Sequence, residues 1–165
     1  MSGGFPEGTK KCVLIAGLHT SNWDFLYGKL AMILLNIKVK YFIKKELFVF
    51  PLNYFFKWSG GIPVDRGKSN NLIDEMAEII KASDEFVLII TPEGTRSYQP
   101  EWKKGFYFIS EKAEVPILMG YLDYRKKHIR FGDVLEKTGD VFKDMEAIKN
   151  YYRKTTPKYP EKGLD

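Results

Sequence analysis

A chain of 165 residues fits one domain, because two independently folding halves would each bury too little surface. With 44% apolar and 28% charged residues, the composition excludes a disordered tail, a collagen-like chain and a coiled coil. The net charge of +5 favours anionic partners without naming one, and the single cysteine, Cys12, excludes an intrachain disulfide.

The elements follow in chain order. Val13 to Ala16 is an apolar run closed by Gly17 and predicts a buried strand. Asn22 to about Leu35 predicts a helix, with Phe25, Leu26, Leu30, Ile33 and Leu34 at helical spacing. Its longest apolar run, Leu30 to Leu35, stops at Asn36, well short of the roughly 20 residues that cross a bilayer. The N-terminus lacks the apolar core of a signal peptide, so neither a leader nor a membrane-anchoring helix is expected. Val39 to Ile43 predicts a second strand. Asn70 to Ala82 carries Leu72, Met76, Ile79 and Ile80 as a helical stripe entered through asparagines that can cap it. Phe86 to Ile90 predicts a central strand, Lys104 to Ala113 a short helix, Pro116 to Tyr121 a strand, and Lys127 to Phe131 an edge strand. Val141 to Tyr152 is the last helical pattern. From Thr155 onward, prolines, lysines and glycine predict a flexible tail, giving a domain over 1–154 and a tail over 155–165.

Strands alternating with helices imply an α/β sheet covered on both faces, and such sheets place their chemistry in the loops at strand ends. Three polar segments follow apolar runs. The first holds His19 and Asp24. Residues five apart lie about 140° out of register on one ideal helix. The two therefore meet most easily with His19 in the loop and Asp24 in the helix's first turn. There the carboxylate can bind one imidazole nitrogen and leave the other as a base, as in the His–Asp half of a catalytic triad. An acid beside a helix N-terminus also serves capping alone, so spacing leaves both readings open. The second segment, Gly60 to Gly67, places Arg66 in a glycine-bordered turn, suited to a bidentate phosphate contact or to pairing with Asp65. The third, Thr91 to Ser97, sets Glu93 and Arg96 about the turn at Pro92 and Gly94, as an anion site with exposed N–H groups or as a surface ion pair.

Together these segments resemble the 1-acylglycerol-3-phosphate acyltransferases and related glycerolipid acyltransferases. The family's spaced His and Asp are matched by His19 and Asp24, and its glycine, apolar stretch and Asp-Arg by Gly61, Ile62, Val64, Asp65 and Arg66. Its Pro-Glu-Gly-Thr-Arg-Ser is matched by Pro92 through Ser97, and its Val-Pro-Ile by Val115, Pro116 and Ile117. Lys44-Lys45-Glu46-Leu47 also resembles the family's lysine-bearing segment. Thr91 and Met119 depart from the usual pattern, standing where a large apolar residue and a second proline are common, and would reshape the acyl or acceptor pocket.

The resemblance implies a single-domain α/β fold with a mixed, mostly parallel sheet flanked by helices. It implies an O-acyltransferase moving a fatty acyl group from acyl-CoA or acyl-carrier protein to a lysolipid hydroxyl. The first acceptor it suggests is 1-acylglycerol-3-phosphate, giving phosphatidic acid. Alternatives are another acceptor, such as a hydroxylated lipo-amino acid, or a non-catalytic peripheral protein that binds anionic lipid. His19 and Asp24 would be the base dyad; Arg66, Glu93, Gly94 and Arg96 would hold the acceptor phosphate, with Glu93 shaping the Gly94 turn or orienting Arg96. Lys44, Lys45, Lys103 and Lys104 are further candidate anionic contacts. The thioester is a co-substrate, so neither a cofactor nor a metal is expected, and no nucleic-acid motif appears. His128, among Arg125, Lys126, Lys127 and Arg130, reads as a solvated strand position.

The aromatic residues, 15% of the chain, crowd between Glu46 and Gly60 as Phe48, Phe50, Tyr54, Phe55, Phe56 and Trp58. Pro51 interrupts the stretch, so one long regular helix is not expected. These rings serve either as core or as an interfacial patch working with Lys44, Lys45 and Lys57. The second use implies a cytoplasmic protein peripheral to the inner face of the membrane.

Overall fold

The computed structural model describes residues 1–65 and 71–164. Among them, seven strands form one sheet: β1 (Ser2–Gly3), β2 (Lys11–Ala16), β3 (Val39–Lys44), β4 (Gly61–Val64), β5 (Phe86–Ile90), β6 (Ile117–Asp123) and β7 (His128–Val134), in the order β1-β7-β6-β2-β5-β3-β4. Only β6 and β7 pair antiparallel; every other neighbour is parallel. The helices are α1 (Asn22–Leu34), α2 (Leu52–Ser59), α3 (Leu72–Ala82), α4 (Gly105–Ala113) and α5 (Val141–Tyr152).

Strand alternation divides the core. Val13, Ile15, Leu88 and Ile117 face one side, where α3, α4 and α5 bring Met76, Ile80, Phe106, Ile109, Ile148 and Tyr152. Cys12, Leu14, Val87 and Leu118 face the other, where Ala31 and Met32 of α1 cover them. Burial pushes the Cys12 thiol up to about 12, so it behaves as a small apolar side chain. Tyr152 closes the first core at the carboxyl ends of the strands, its hydroxyl donating to the Ile15 carbonyl (2.8 Å) and the Gly120 carbonyl (3.0 Å). Gly17 is needed beside it, because a Cβ there would lie 2.8 Å from the Trp102 ring and 2.9 Å from Tyr152.

Three expectations change, and a fourth, the break at Pro51, is met. The segment around the second motif is not simply a turn: Gly61–Val64 form the edge strand β4, where Pro63 is tolerated because an edge N–H is dispensable. The strand predicted at Lys127–Phe131 runs from His128 to Val134 and is not the edge, since β1 pairs beyond it. The aromatic stretch contains a helix, α2, which starts after Pro51 rather than running through it. Residues 155–164, expected as a flexible tail, pack back on the domain. Tyr124 N–H donates to the Thr156 carbonyl (2.8 Å) and Tyr159 N–H to Thr20 Oγ1 (3.3 Å), while Pro157 is buried and Leu164 joins the core. Apolar contact and satisfied backbone groups outweigh a composition that suggests fraying.

The helical stripe of α1 turns outward. Leu26, Leu30, Ile33 and Leu34 are exposed, Leu34 by 78%, because the sheet beneath needs only the small patch that Ala31 and Met32 supply. This helix is apolar on both sides, and one side has no protein cover among the described residues.

Candidate active site

Parallel pairing aligns the carboxyl ends of β2, β5, β6, β3 and β4, and the segments carrying His19 and Asp24, Asp65, and Pro92 to Ser97 leave the sheet at that end, whereas Val115-Pro116-Ile117 leads into the amino end of β6. From β2 the chain passes Gly17 and reaches Leu18, whose φ of 60° is left-handed and unusual for a branched residue. That conformation is clamped from the neighbouring strand. Leu18 N–H donates to Glu93 Oε1 at 2.5 Å, joining the first and third motifs.

His19 follows in the loop, partly exposed, and Asp24 stands in the first turn of α1. Asp24 Oδ2 accepts from the N–H groups of Thr20 and Ser21, both at 2.8 Å, and lies 3.5 Å from His19 Nδ1. Ser21 Oγ accepts from Trp23 N–H at 3.2 Å, completing a capping box. The carboxylate therefore caps the helix and faces the imidazole at once, so the two readings of the spacing coincide. Asp24 Oδ1 accepts from the Tyr124 hydroxyl at 2.6 Å. Burial works to raise the Asp24 carboxyl, but hydrogen bonds from His19, Tyr124 and Ser21 prevail and hold it below its ordinary value. Nε2 of His19 has no protein partner among the described residues and is the ring nitrogen available to a substrate proton.

Glu93 does not reach outward as a phosphate ligand would. It is 7% exposed, lies against the His19 loop, and leaves Oε2 without a hydrogen bond among the described residues. Burial pushes its carboxyl up to about 7, with Leu18 N–H and the neighbouring His19 offsetting only part of the effect. A carboxyl so placed repels rather than recruits phosphate; its position fits the shaping of the turn. Gly94 takes a φ of 66°, its N–H donates to the Thr91 carbonyl (3.1 Å), and the Lys103 side chain lies 3.1 Å from where a Cβ would stand. Lys103 N–H also donates to the Pro92 carbonyl (2.8 Å), so this lysine belongs to the turn. Arg96 is exposed on the same turn.

Lys44 ends β3 and Lys45 begins the short 3-10 turn after it, both exposed at the same end of the sheet. Lys104 instead lies over the Phe142 ring of α5, 3.8 Å from its centroid. Arg66 lies outside the described residues. Met119 is buried in the core on β6. Among the described residues, no cluster of three or more His, Cys, Asp or Glu side chains is arranged to hold a metal ion.

Tyr124 and the left-handed Leu18 are visible only in the folded chain. Tyr124 stands 100 residues from Asp24, and neither carries a local signal.

The family model described as Acyltransferase matches residues 4–119. No curated protein sequence matches the chain. The crystal structure of the 1-acyl-sn-glycerophosphate acyltransferase PlsC from Thermotoga maritima superposes with a TM-score of 0.61 at 19% identity, covering 91% of this chain and 68% of that one. The likeness to it is one of fold.

Proposed function

The chain belongs to the acyltransferase family, and from that premise we propose that it moves a fatty acyl group from a thioester of coenzyme A or acyl-carrier protein to the hydroxyl of a lysolipid, with 1-acylglycerol-3-phosphate as the preferred acceptor. The carrying observation is the His19–Asp24 pair, 3.5 Å apart, at the carboxyl ends of parallel strands beside the Pro92–Ser97 turn.

The thioester is already activated, so the protein's task is one proton and one oxyanion. His19 Nε2 takes the acceptor's hydroxyl proton as the oxygen attacks the thioester carbonyl. Asp24 fixes the tautomer and stabilises the imidazolium. As the tetrahedral intermediate collapses, the C–S bond breaks and the proton returns to the leaving thiolate. Arg96 and Arg66 are assigned to the acceptor's phosphate, with Lys44 and Lys45 as further cationic contacts. Glu93 takes the role of clamping the His19 loop.

The acceptor is met at a membrane surface. No helix among the described residues is long and apolar enough to cross a membrane. Yet Phe50 and Trp58 are 80% and 78% exposed, and Tyr54 and Phe55 are exposed beside them. The apolar outer side of α1 adjoins this patch, joined to α2 by Lys29, whose Nζ donates to the Ser59 carbonyl. With Lys44, Lys45 and Lys57 at its margin, the combined face suits an anionic headgroup layer.

The test is acyl transfer from labelled donors across a panel of lysolipid and hydroxylated lipo-amino acid acceptors. His19→Ala is expected to lower turnover by roughly 10²–10⁴-fold, and Asp24→Asn to impair it severely by favouring the wrong tautomer. Near wild-type transfer by folded His19→Ala would overturn the mechanism. Preference for a phosphate-free acceptor would overturn the acceptor assignment.

A further inference from the structure

Tyr124 follows Asp123, the last residue of β6, and lies beyond the span that the family model matches. Its hydroxyl is the sole protein donor to Asp24 Oδ1 among the described residues, at 2.6 Å, while the other oxygen is occupied by Thr20, Ser21 and His19. We propose that Tyr124 is a positioning residue for acyl transfer, holding the Asp24 carboxylate in the plane that aims Oδ2 at His19 Nδ1.

The terminal torsion of an aspartate is broad and roughly two-fold, so anchoring one oxygen leaves the carboxylate free to rock. A donor on the second oxygen removes that freedom, as outer partners do for metal-bound histidines. Tyr124 is itself held in place. Its backbone N–H donates to the Thr156 carbonyl (2.8 Å), and its ring meets Tyr27 of α1 edge-on with centroids 6.3 Å apart. The segment after Thr155 thus supports the dyad at two points, through Tyr124 and through the Tyr159–Thr20 bond. The hydroxyl also has an electrostatic effect. By sharing the Asp24 charge it weakens the hold of Oδ2 on an imidazolium proton, within a surround that, among the described residues, also holds Glu93, Tyr27 and Tyr159, with Lys158 over the Trp23 and Tyr159 rings. Burial and the Asp24 carboxylate both raise the phenol above its ordinary value, so it stays protonated and remains a donor.

The inference rests on the reading of His19 and Asp24 as the base pair, so wild type, His19→Ala and Tyr124→Phe are assayed together. Tyr124→Phe is expected to lower kcat by about 10–100-fold, the loss typical of a hydrogen bond to a charged group, with donor and acceptor KM unchanged. The acid limb of the kcat/KM profile should move to higher pH, because an Asp24 without its outer donor holds the imidazolium proton more tightly. Site-specific 3-fluorotyrosine at 124, a stronger donor of nearly the same shape, should move that limb to lower pH. This second variant carries the test if Tyr124→Phe fails to fold. Unchanged kcat and pH limb in both variants, or a loss confined to KM or thermal stability, would overturn the role of Tyr124. Full activity in His19→Ala would instead overturn the dyad.

Discussion

Glu93→Gln separates the clamp from its charge. Glu93 is 7% exposed and its carboxyl is pushed by burial from an ordinary 4.5 up to about 7. Glutamine keeps an oxygen for Leu18 N–H but cannot ionise. Because the folded state raises this acid's value, the native protein favours the protonated form. The resulting stability is fully present below about 4.5 and is lost as pH rises through about 7. The displacement corresponds to about 3 kcal/mol. Wild type should therefore lose about that much relative to Glu93→Gln between pH 4.5 and pH 8, with most of the divergence above pH 5. Urea denaturation of both proteins across this range gives the difference directly. Asp24 and Asp144, whose values are lowered, titrate in both proteins and cancel in the comparison. Stability curves that run parallel from pH 5 to pH 8 would refute the assignment of Glu93 as a buried acid clamping the loop.

Two further outcomes are expected. Arg96→Ala should raise the acceptor KM roughly 10–150-fold, the equivalent of about 1.5–3 kcal/mol for a lost charge-assisted contact, while the donor KM stays put. Equal changes in both constants would make Arg96 structural, and the same measurement on Arg66→Ala tests the second arginine. Replacing Phe50, Tyr54 and Trp58 with serine should weaken co-sedimentation with anionic vesicles and activity on bilayer substrate. Activity on a short-chain soluble acceptor should survive. Added salt should weaken wild-type binding, because part of the attraction is screened. A triple variant that sediments like wild type would move the membrane face elsewhere, and one that unfolds would make the patch core.

What the sequence determined by itself lies in short-range pattern. Continuous apolar runs at Val13–Ala16 and Phe86–Ile90 have no face to give to water, so they specify central strands wherever the chain goes. His19 and Asp24 come together through five residues of loop and first helical turn, where the capping requirement and the dyad geometry agree. Tertiary structure decided whatever depends on a distant partner. The outward turn of the α1 stripe follows from how small a patch of sheet it must cover, which no helical period reveals. Glu93 reads locally as one half of a surface ion pair with Arg96. Only the register of β5 beside β2 buries it under Leu18 and raises its carboxyl. The last ten described residues look frayed by composition, yet they dock because the β6–β7 turn and the Thr20 loop present hydrogen-bonding groups to them. Tyr124 reaches Asp24 across 100 residues because β6 lies parallel to β2 and ends beside it. That adjacency is a property of strand order, and strand order is fixed by the packing of the whole sheet rather than by any local stretch of chain.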